Sequence, residues 1–205
     1  MSAPAFDAIV LAAGAGSRFG GGKLLAPWPA AGLGGVVLEG ALAAAFATPV
    51  RRVTVVTGAD GERVEAAARA WAATHRRDAR LAVFHVKQWE NGMGASLSSA
   101  IAAVEGKVRA CFVFLGDMPR VPPAVLPMLA EAVRAGAPAA APVFDGRRGH
   151  PALIGAALFP QLQALTGDQG ARAVLERLGD RLALVEAPDD GVLYDVDTPA
   201  DLARG

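Results

Sequence analysis

Apolar positions along this chain fall into short runs separated by glycine, proline and charged residues. The run at residues 8–12 is continuously apolar and ends in glycines, which predicts a buried strand feeding a loop. Residues 36–47 predict a helix, closed by Thr48 and Pro49. Residues 52–57 are rich in β-branched side chains and predict a second strand. An alanine-rich helix follows at 62–73, with Asp60 placed to cap it. Strands are expected at 81–86 and 110–115, and the unbroken apolarity of the latter gives it a central place in a sheet. Between them, 96–104 predicts a helix with small residues on one face. Pro122 and Pro123 open a helix over 124–135, proline being favoured in a first turn. The last third predicts strands at 139–143, 152–154, 182–185 and 192–194, with helices at 156–165, 169–178 and 199–203.

Strands and helices alternate over most of the length. Such alternation gives a mostly parallel sheet covered by helices on both faces, in a three-layer α/β/α arrangement. The 205 residues suffice for a single domain, with no internal repeat and no long linker. In open sheets of this kind ligands bind beyond the carboxyl ends of the strands, where the unusual sequences of this chain lie.

Composition narrows the class of partner. Hydrophobic residues make up 53% and charged residues 20%, a globular profile. Twenty basic residues balance twenty acidic ones, so there is no global positive field for nucleic acid and a small charged ligand is expected instead. The lone Cys111 lies in the apolar run 110–115 and reads as a buried, inert thiol; it excludes a disulfide framework within the chain and a multi-cysteine zinc site. No apolar stretch reaches the roughly 18 residues of a spanning helix without a charge or glycine. With no basic leader at the N-terminus, a cytoplasmic protein with no membrane partner is expected.

Candidate chemistry starts after the first strand, where residues 11–25 read LAAGAGSRFGGGKLL. Gly14, Gly16 and Gly20 allow a tight turn that brings backbone N–H groups close to a ligand, and Arg18 and Lys23 add positive charge. Together they suit phosphate. A Walker A loop would need glycine where Ser17 stands and Ser or Thr where Leu24 stands. A dinucleotide fingerprint would need glycine at Phe19. The segment FVFLGDMPRVPP at 112–123 places Asp117 just past the central strand, where a carboxylate can hold magnesium against phosphate oxygens or cap the following turn. In LYDVDTPADL at 193–202, Asp195 and Asp197 are two apart and share a side of an extended segment. Asp197 is also placed to cap the terminal helix. WENGMGASLSSAI at 89–101 offers Gly92, with the N–H groups and hydroxyl of Ser96 at a helix start, suited to polar or anionic groups. GRRGHPALIG at 146–155 contains His150, and LTGDQGARAVL at 165–175 contains Asp168, Gly170 and Arg172. His75 and His85 lack such context and read as structural.

The pattern L-A-A-G-x-G-x-R-F-G-x-x-K-L-L resembles the signature loop of nucleotidyltransferases acting on small acceptors. More narrowly, it resembles the molybdopterin nucleotidyltransferases, the MobA-like NTP transferases, and within them the cytidylyl-transferring branch. The resemblance runs in consistent order from Val10 to Leu202. It implies a Rossmann-like nucleotidyltransferase fold, and it implies that Ala12, Ala13, Gly14, Gly16, Gly20 and Lys23 wrap the nucleotide. Arg18 and Lys23 would stabilise charge on the α-phosphate and the leaving pyrophosphate. Asp117 and Asp197 would hold Mg2+, while Gly92 and Ser96 would lie near base and ribose. His150, Asp168 and Arg172 would contact a molybdopterin-type acceptor. The Ala12-Ala13-Gly14 triplet goes with CTP in that group, and a methyl group beside the base limits the larger purine. The family usually has a short G-x-P-L-L segment before the first helix; here a longer Pro/Ala/Gly insert occupies 27–35, which bears on the acceptor side. Another phosphorylated acceptor, such as methylerythritol phosphate or a sugar phosphate, is the rival within enzymes, against which the segment Gly167–Arg172 tells. A cofactor-carrying chaperone of a molybdoenzyme is the rival from another class, against which the joint presence of Lys23 and Asp117 tells.

Overall fold

In the computed structural model, residues 6–29, 35–104 and 108–204 are described. Part of the insert at 27–35, residues 30–34, lies outside them. Strand β1 (Phe6–Ala12) leads into the glycine-rich segment and then to α1 (Val37–Ala47). Next come β2 (Val50–Thr57), α2 (Gly61–Thr74), β3 (Leu81–His85), α3 (Met93–Ala102), β4 (Ala110–Leu115) and α4 (Val125–Arg134). The remaining elements are β5 (Ala139–Phe144), β6 (Arg147–Arg148), β7 (Ala152–Gly155), α5 (Phe159–Gln163), α6 (Arg172–Glu176) and β8 (Leu182–Glu186).

The strands form one sheet in the order β3-β2-β1-β4-β7-β5-β6, with β8 also paired to β5. The β3-β2-β1-β4 half is parallel, and β7 turns antiparallel against both β4 and β5. The mixed, mostly parallel sheet is therefore as the alternation predicts. The period-2 geometry of a strand explains the three layers. Along β1, Phe6, Ala8, Val10 and Ala12 point into a core with Leu38, Leu42, Val64 and Leu126 from α1, α2 and α4. Ile9 points the other way, into a core with Leu97, Leu162 and Val174 from α3, α5 and α6. β4 alternates likewise, with Phe112 and Phe114 on the first face and Cys111 and Val113 on the second. Both faces are apolar because both are covered, which is why this strand reads as one unbroken run. Cys111 is fully buried, and that burial pushes its thiol pKa up, as expected of an inert core residue. His75 stacks on Trp71 with ring centroids 4.2 Å apart, and His85 Nδ1 lies 3.2 Å from Thr57 Oγ1, so both are structural.

The C-terminal expectations need correction. The segment 192–194 is not a strand; Asp190–Val192 forms a 3-10 turn. Asp189 accepts from the Gly191 N–H at 2.8 Å, and Gly191 is pressed against the Arg120 carbonyl, so this stretch packs on a loop instead of a sheet edge. The expected helix at 199–203 is a 3-10 turn, Asp201–Arg204. Asp197 does not cap it. The Asp201 carboxylate instead reaches back to accept from the N–H groups of Asp197 (3.2 Å) and Thr198 (2.7 Å) and from the Thr198 hydroxyl (2.8 Å). Asp60 makes no capping bond to α2; its carboxylate faces Arg63 at 3.8 Å. The helix expected from Ser96 begins at Met93, which moves Ser96 into its first turn.

Asp201 thus fixes the backbone that presents Asp197. Asp201→Ala is expected to cost about 1–2 kcal/mol, the value of a local side-chain cap with a charged acceptor. Urea unfolding measures it, and a change below about 0.3 kcal/mol would deny Asp201 that role.

Candidate active site

The carboxyl ends of the parallel strands open into a cleft of about 510 Å³, within the usual range for a small-molecule site. It is lined by the loop after β1, by Asp117 after β4, by the entrance to α3, and by Asp168, Asp195 and Asp197.

The glycine-rich loop is shaped by two 3-10 turns, Ser17–Phe19 and Lys23–Leu25. Gly16 has φ +61°, which a glycine adopts without steric cost. The N–H groups of Phe19, Gly20 and Gly21 are spent on the carbonyls of Gly16 and Ser17. Among the described residues, no hydrogen bond uses the N–H groups of Gly14, Ala15, Gly16, Ser17 or Arg18. That leaves a run of donors along the cleft wall, the arrangement that cradles an anion.

Beneath the loop, Lys23 stands between two carboxylates. Its Nζ lies 2.6 Å from Asp117 Oδ2 and 3.0 Å from Asp197 Oδ1. Arg18 Nη1 meets the other oxygen of Asp197 at 2.8 Å. The Lys23 side chain is only 14% exposed, so these contacts are partly shielded from water, whereas that of Arg18 is 79% exposed. Burial opposes the ammonium charge, but Asp117 and Asp197 together outweigh it, and the Lys23 pKa is raised. The hydrogen bond from Lys23 lowers the pKa of Asp197. The lysine's contribution to stability is therefore present below 10.5 and lost as pH rises through its raised value. That of Asp197 is present above 3.8 and lost as pH falls through its lowered value.

Two features bear on a metal. The Oδ1 atom of Asp117 is buried with no hydrogen-bond partner, a costly state for a carboxylate oxygen. The ammonium of Lys23 already shows that a cation fits between Asp117 and Asp197. Among the described residues there is no group of three or more His, Cys, Asp or Glu set to hold an ion by protein ligands alone. Two carboxylates completed by phosphate oxygens and water are what magnesium usually takes, so the residues fit that ion.

Of the residues singled out in the sequence, Ala12, Ala13, Gly14, Gly16, Arg18, Lys23, Gly92, Ser96, Asp117, Asp168 and Asp197 all line this cleft. Gly20 does not; it closes the first 3-10 turn behind the loop. Ser96 is buried at the cleft wall, and its N–H is spent on the Gly92 carbonyl, so it is not a free backbone donor. His150 lies outside the lining; its N–H donates to Val192 at 2.8 Å, and burial lowers its pKa. Arg172 is exposed and paired with Glu176 at 2.7 Å. Residues not singled out in the sequence also line the cleft, notably Trp89, Glu90 and Met93. Trp89 opens a 3-10 turn four residues past the end of β3 and three before Gly92. Asp195, recognised only as the neighbour of Asp197, is a third carboxylate here, its pKa raised by burial and then by Asp197 and Asp117.

The chain is similar to known proteins over nearly its whole length. Residues 8–182 match the MobA-like NTP transferase domain. A nicotine blue oxidoreductase from Paenarthrobacter nicotinovorans is 32% identical, over 98% of this chain and 96% of that protein. A molybdenum cofactor cytidylyltransferase from Escherichia coli is 27% identical, over 96% of this chain and 93% of that protein. Among solved structures, Rv0371c from Mycobacterium tuberculosis superposes with a TM-score of 0.78 at 27% identity, covering all of this chain and 98% of that one.

Because the pKa of Asp195 is raised, its charge works against the fold above its own titration. Asp195→Asn is therefore expected to raise the thermal midpoint at pH 7. The gain should shrink as pH falls through the raised value and be absent below 3.8. A variant less stable than wild type at pH 7 would show that Asp195 is satisfied in a way its surroundings do not suggest.

Proposed function

The chain belongs to the MobA-like NTP transferase family, and we propose that it transfers a cytidylyl group from CTP to the terminal phosphate of a molybdopterin-type acceptor, with Mg2+ as cofactor. The observation that carries this reading is Lys23 held between Asp117 and Asp197 directly below a loop of unspent N–H donors.

The triphosphate lies along Gly14–Arg18, where backbone donors meet its oxygens. Asp117 and Asp197 would hold magnesium, which when bound would supply neutralisation of the charge on the phosphates. As the nucleotide arrives, Lys23 exchanges its carboxylate partners for phosphate oxygens on the bond that breaks, and Arg18 does the same from the rim. An oxygen of the acceptor phosphate attacks the α-phosphorus in line. The bond from that phosphorus to the bridging oxygen breaks, and its electron pair leaves on pyrophosphate. The attacking phosphate is already ionised at neutral pH, so positioning and charge stabilisation suffice without a strong general base. Ala12 and Ala13, both buried at the cleft wall, restrict the space beside the base and favour cytosine over a purine. A cytoplasmic site of action, where nucleoside triphosphates are made, belongs to this reading. So does delivery of the product to a molybdoenzyme or its chaperone.

Pyrophosphate release from purified molybdopterin with CTP or GTP and magnesium tests acceptor and base together. Release with CTP, abolished by EDTA, is expected. Asp117→Asn should lower turnover roughly 10²- to 10³-fold, the cost of losing a main electrostatic stabiliser. Release only with methylerythritol phosphate or a sugar phosphate would move the acceptor. Tight nucleotide binding with no release from any acceptor would replace transfer by carriage.

A further inference from the structure

Beside the cleft lies a third apolar cluster, separate from the two cores on the faces of the sheet. Phe19 enters it from the glycine-rich loop, and Ala26 and Trp28 from the stretch that follows Lys23. Tyr194 and Val196 enter it from the segment that carries Asp197. The loop and the C-terminal segment thus bury apolar side chains against each other. Trp28 is 2% exposed, and its N–H donates to the Gly35 carbonyl at 2.8 Å, which fixes the exit of the loop.

Tyr194 stands where this cluster meets the turn after Asp117. Its ring centre lies 6.1 Å from that of Trp28, with the two planes at 46°. Arg120, three residues past Asp117, holds its guanidinium 4.6 Å from the centre of the same ring and pairs with Asp190 at 3.2 Å. The Tyr194 hydroxyl donates to the Asp201 carbonyl, and the Asp201 carboxylate holds the N–H groups of Asp197 and Thr198. One side chain therefore touches the three segments that bring Lys23, Asp117 and Asp197 together. There is little slack between them. A Cβ on Gly191 would lie 2.1 Å from the Arg120 carbonyl oxygen, and one on Gly40 would lie 2.4 Å from that of Pro119. The turn after Asp117 is gripped between α1 and the C-terminal segment, and packing this close passes a displacement on instead of absorbing it.

We propose that Tyr194 is a positioning residue that couples these three segments, so that phosphate drawing Lys23 away from Asp117 and Asp197 is registered in all of them at once. The inference rests on the nucleotide reading above and adds to it a side chain that meets no reactant. Tyrosine suits the task because its ring can pack on an indole and attract a guanidinium while its polar tip reaches a carbonyl. The ring is rigid, so its contacts with Trp28 and Arg120 constrain each other. Leucine would offer neither the aromatic face nor the hydroxyl. Phenylalanine would keep the face and lose only the tip.

Tyr194 is the only tyrosine in the chain, so fluorotyrosine incorporation gives the full-length protein a single fluorine resonance at this residue. Tripolyphosphate, a probe of the glycine-rich loop, should move or broaden that resonance on binding, although Tyr194 lies outside the cleft lining. The response should be lost in Lys23→Ala and should shrink in Trp28→Leu, which cuts the link from the loop. In turnover of CTP, Tyr194→Leu should lower kcat roughly ten- to hundredfold while KM for CTP stays within about threefold, the pattern of reacting groups set slightly out of place. Tyr194→Phe should recover most of that loss. Phe46→Leu, which opens space between α1 and α2 beside Trp71 instead, should leave kcat within about threefold of wild type. A resonance that stays still while calorimetry reports tripolyphosphate binding, or a response of full size in Trp28→Leu, would overturn the inference. So would a kcat for Tyr194→Leu no lower than that of Phe46→Leu, or a Tyr194→Phe as slow as Tyr194→Leu. Failure of wild type to bind tripolyphosphate or to turn over CTP would instead overturn the nucleotide reading beneath it.

Discussion

One ammonium group between two carboxylates organises this molecule's cleft. Lys23 approaches Asp117 and Asp197 from a loop, a strand end and a C-terminal turn that are far apart in the chain. Without a cation among them, Asp117, Asp195 and Asp197 would repel one another in a partly shielded space; the pKa of Asp195 is raised by its burial first and then by Asp197 and Asp117. The arrangement gives the protein a reason to hold Lys23, Asp117 and Asp197 in place. The same lysine that neutralises the carboxylates is the group a triphosphate would claim, and the place it leaves is suited to a divalent ion.

The two halves of the sheet serve this arrangement differently. The parallel half delivers the glycine-rich loop, Asp117 and the entrance to α3 to one edge, because every parallel strand ends on the same side. The antiparallel β7 and the crossover to β8 then bring the chain's last segment back to that edge. There Val196 donates its N–H to the Asp117 carbonyl at 2.9 Å, and Asp197 is set opposite Lys23. The proposed site thus depends on a segment with almost no regular secondary structure, secured by Asp201 and by backbone contacts to the Asp117 turn.

Legibility in the sequence followed from physical locality. The central strand 110–115 was legible to the residue because burial on both faces leaves a continuous apolar run. The loop 11–25 was legible because phosphate binding needs glycines and cations at close spacing. The strand expected at 192–194 failed because Val192 is buried in the core beside Gly149 while Gly191 is pressed on the Arg120 carbonyl, tertiary contacts that imitate strand hydrophobicity. Trp89 escaped notice because its place beside the phosphate loop depends on the missing side chain of Gly58, thirty-one positions earlier. Arg172 lay in a segment that reads as a binding motif, yet its i,i+4 partner Glu176 holds it on the outer surface. The joining of Asp168 to Gly92 required the closure of α3 on the segment before α6, which no local pattern encodes.

That Lys23 serves as the cation between Asp117 and Asp197 in the nucleotide-free protein is open to one direct measurement. Manganese binding to the nucleotide-free protein can be titrated by electron paramagnetic resonance, with wild type compared against Lys23→Met. Removing a positive charge a few ångströms from both carboxylates should tighten manganese binding by at least about tenfold. Equal or weaker binding by Lys23→Met would show that the ammonium does not hold the place between Asp117 and Asp197, and the account of this site would fall with it.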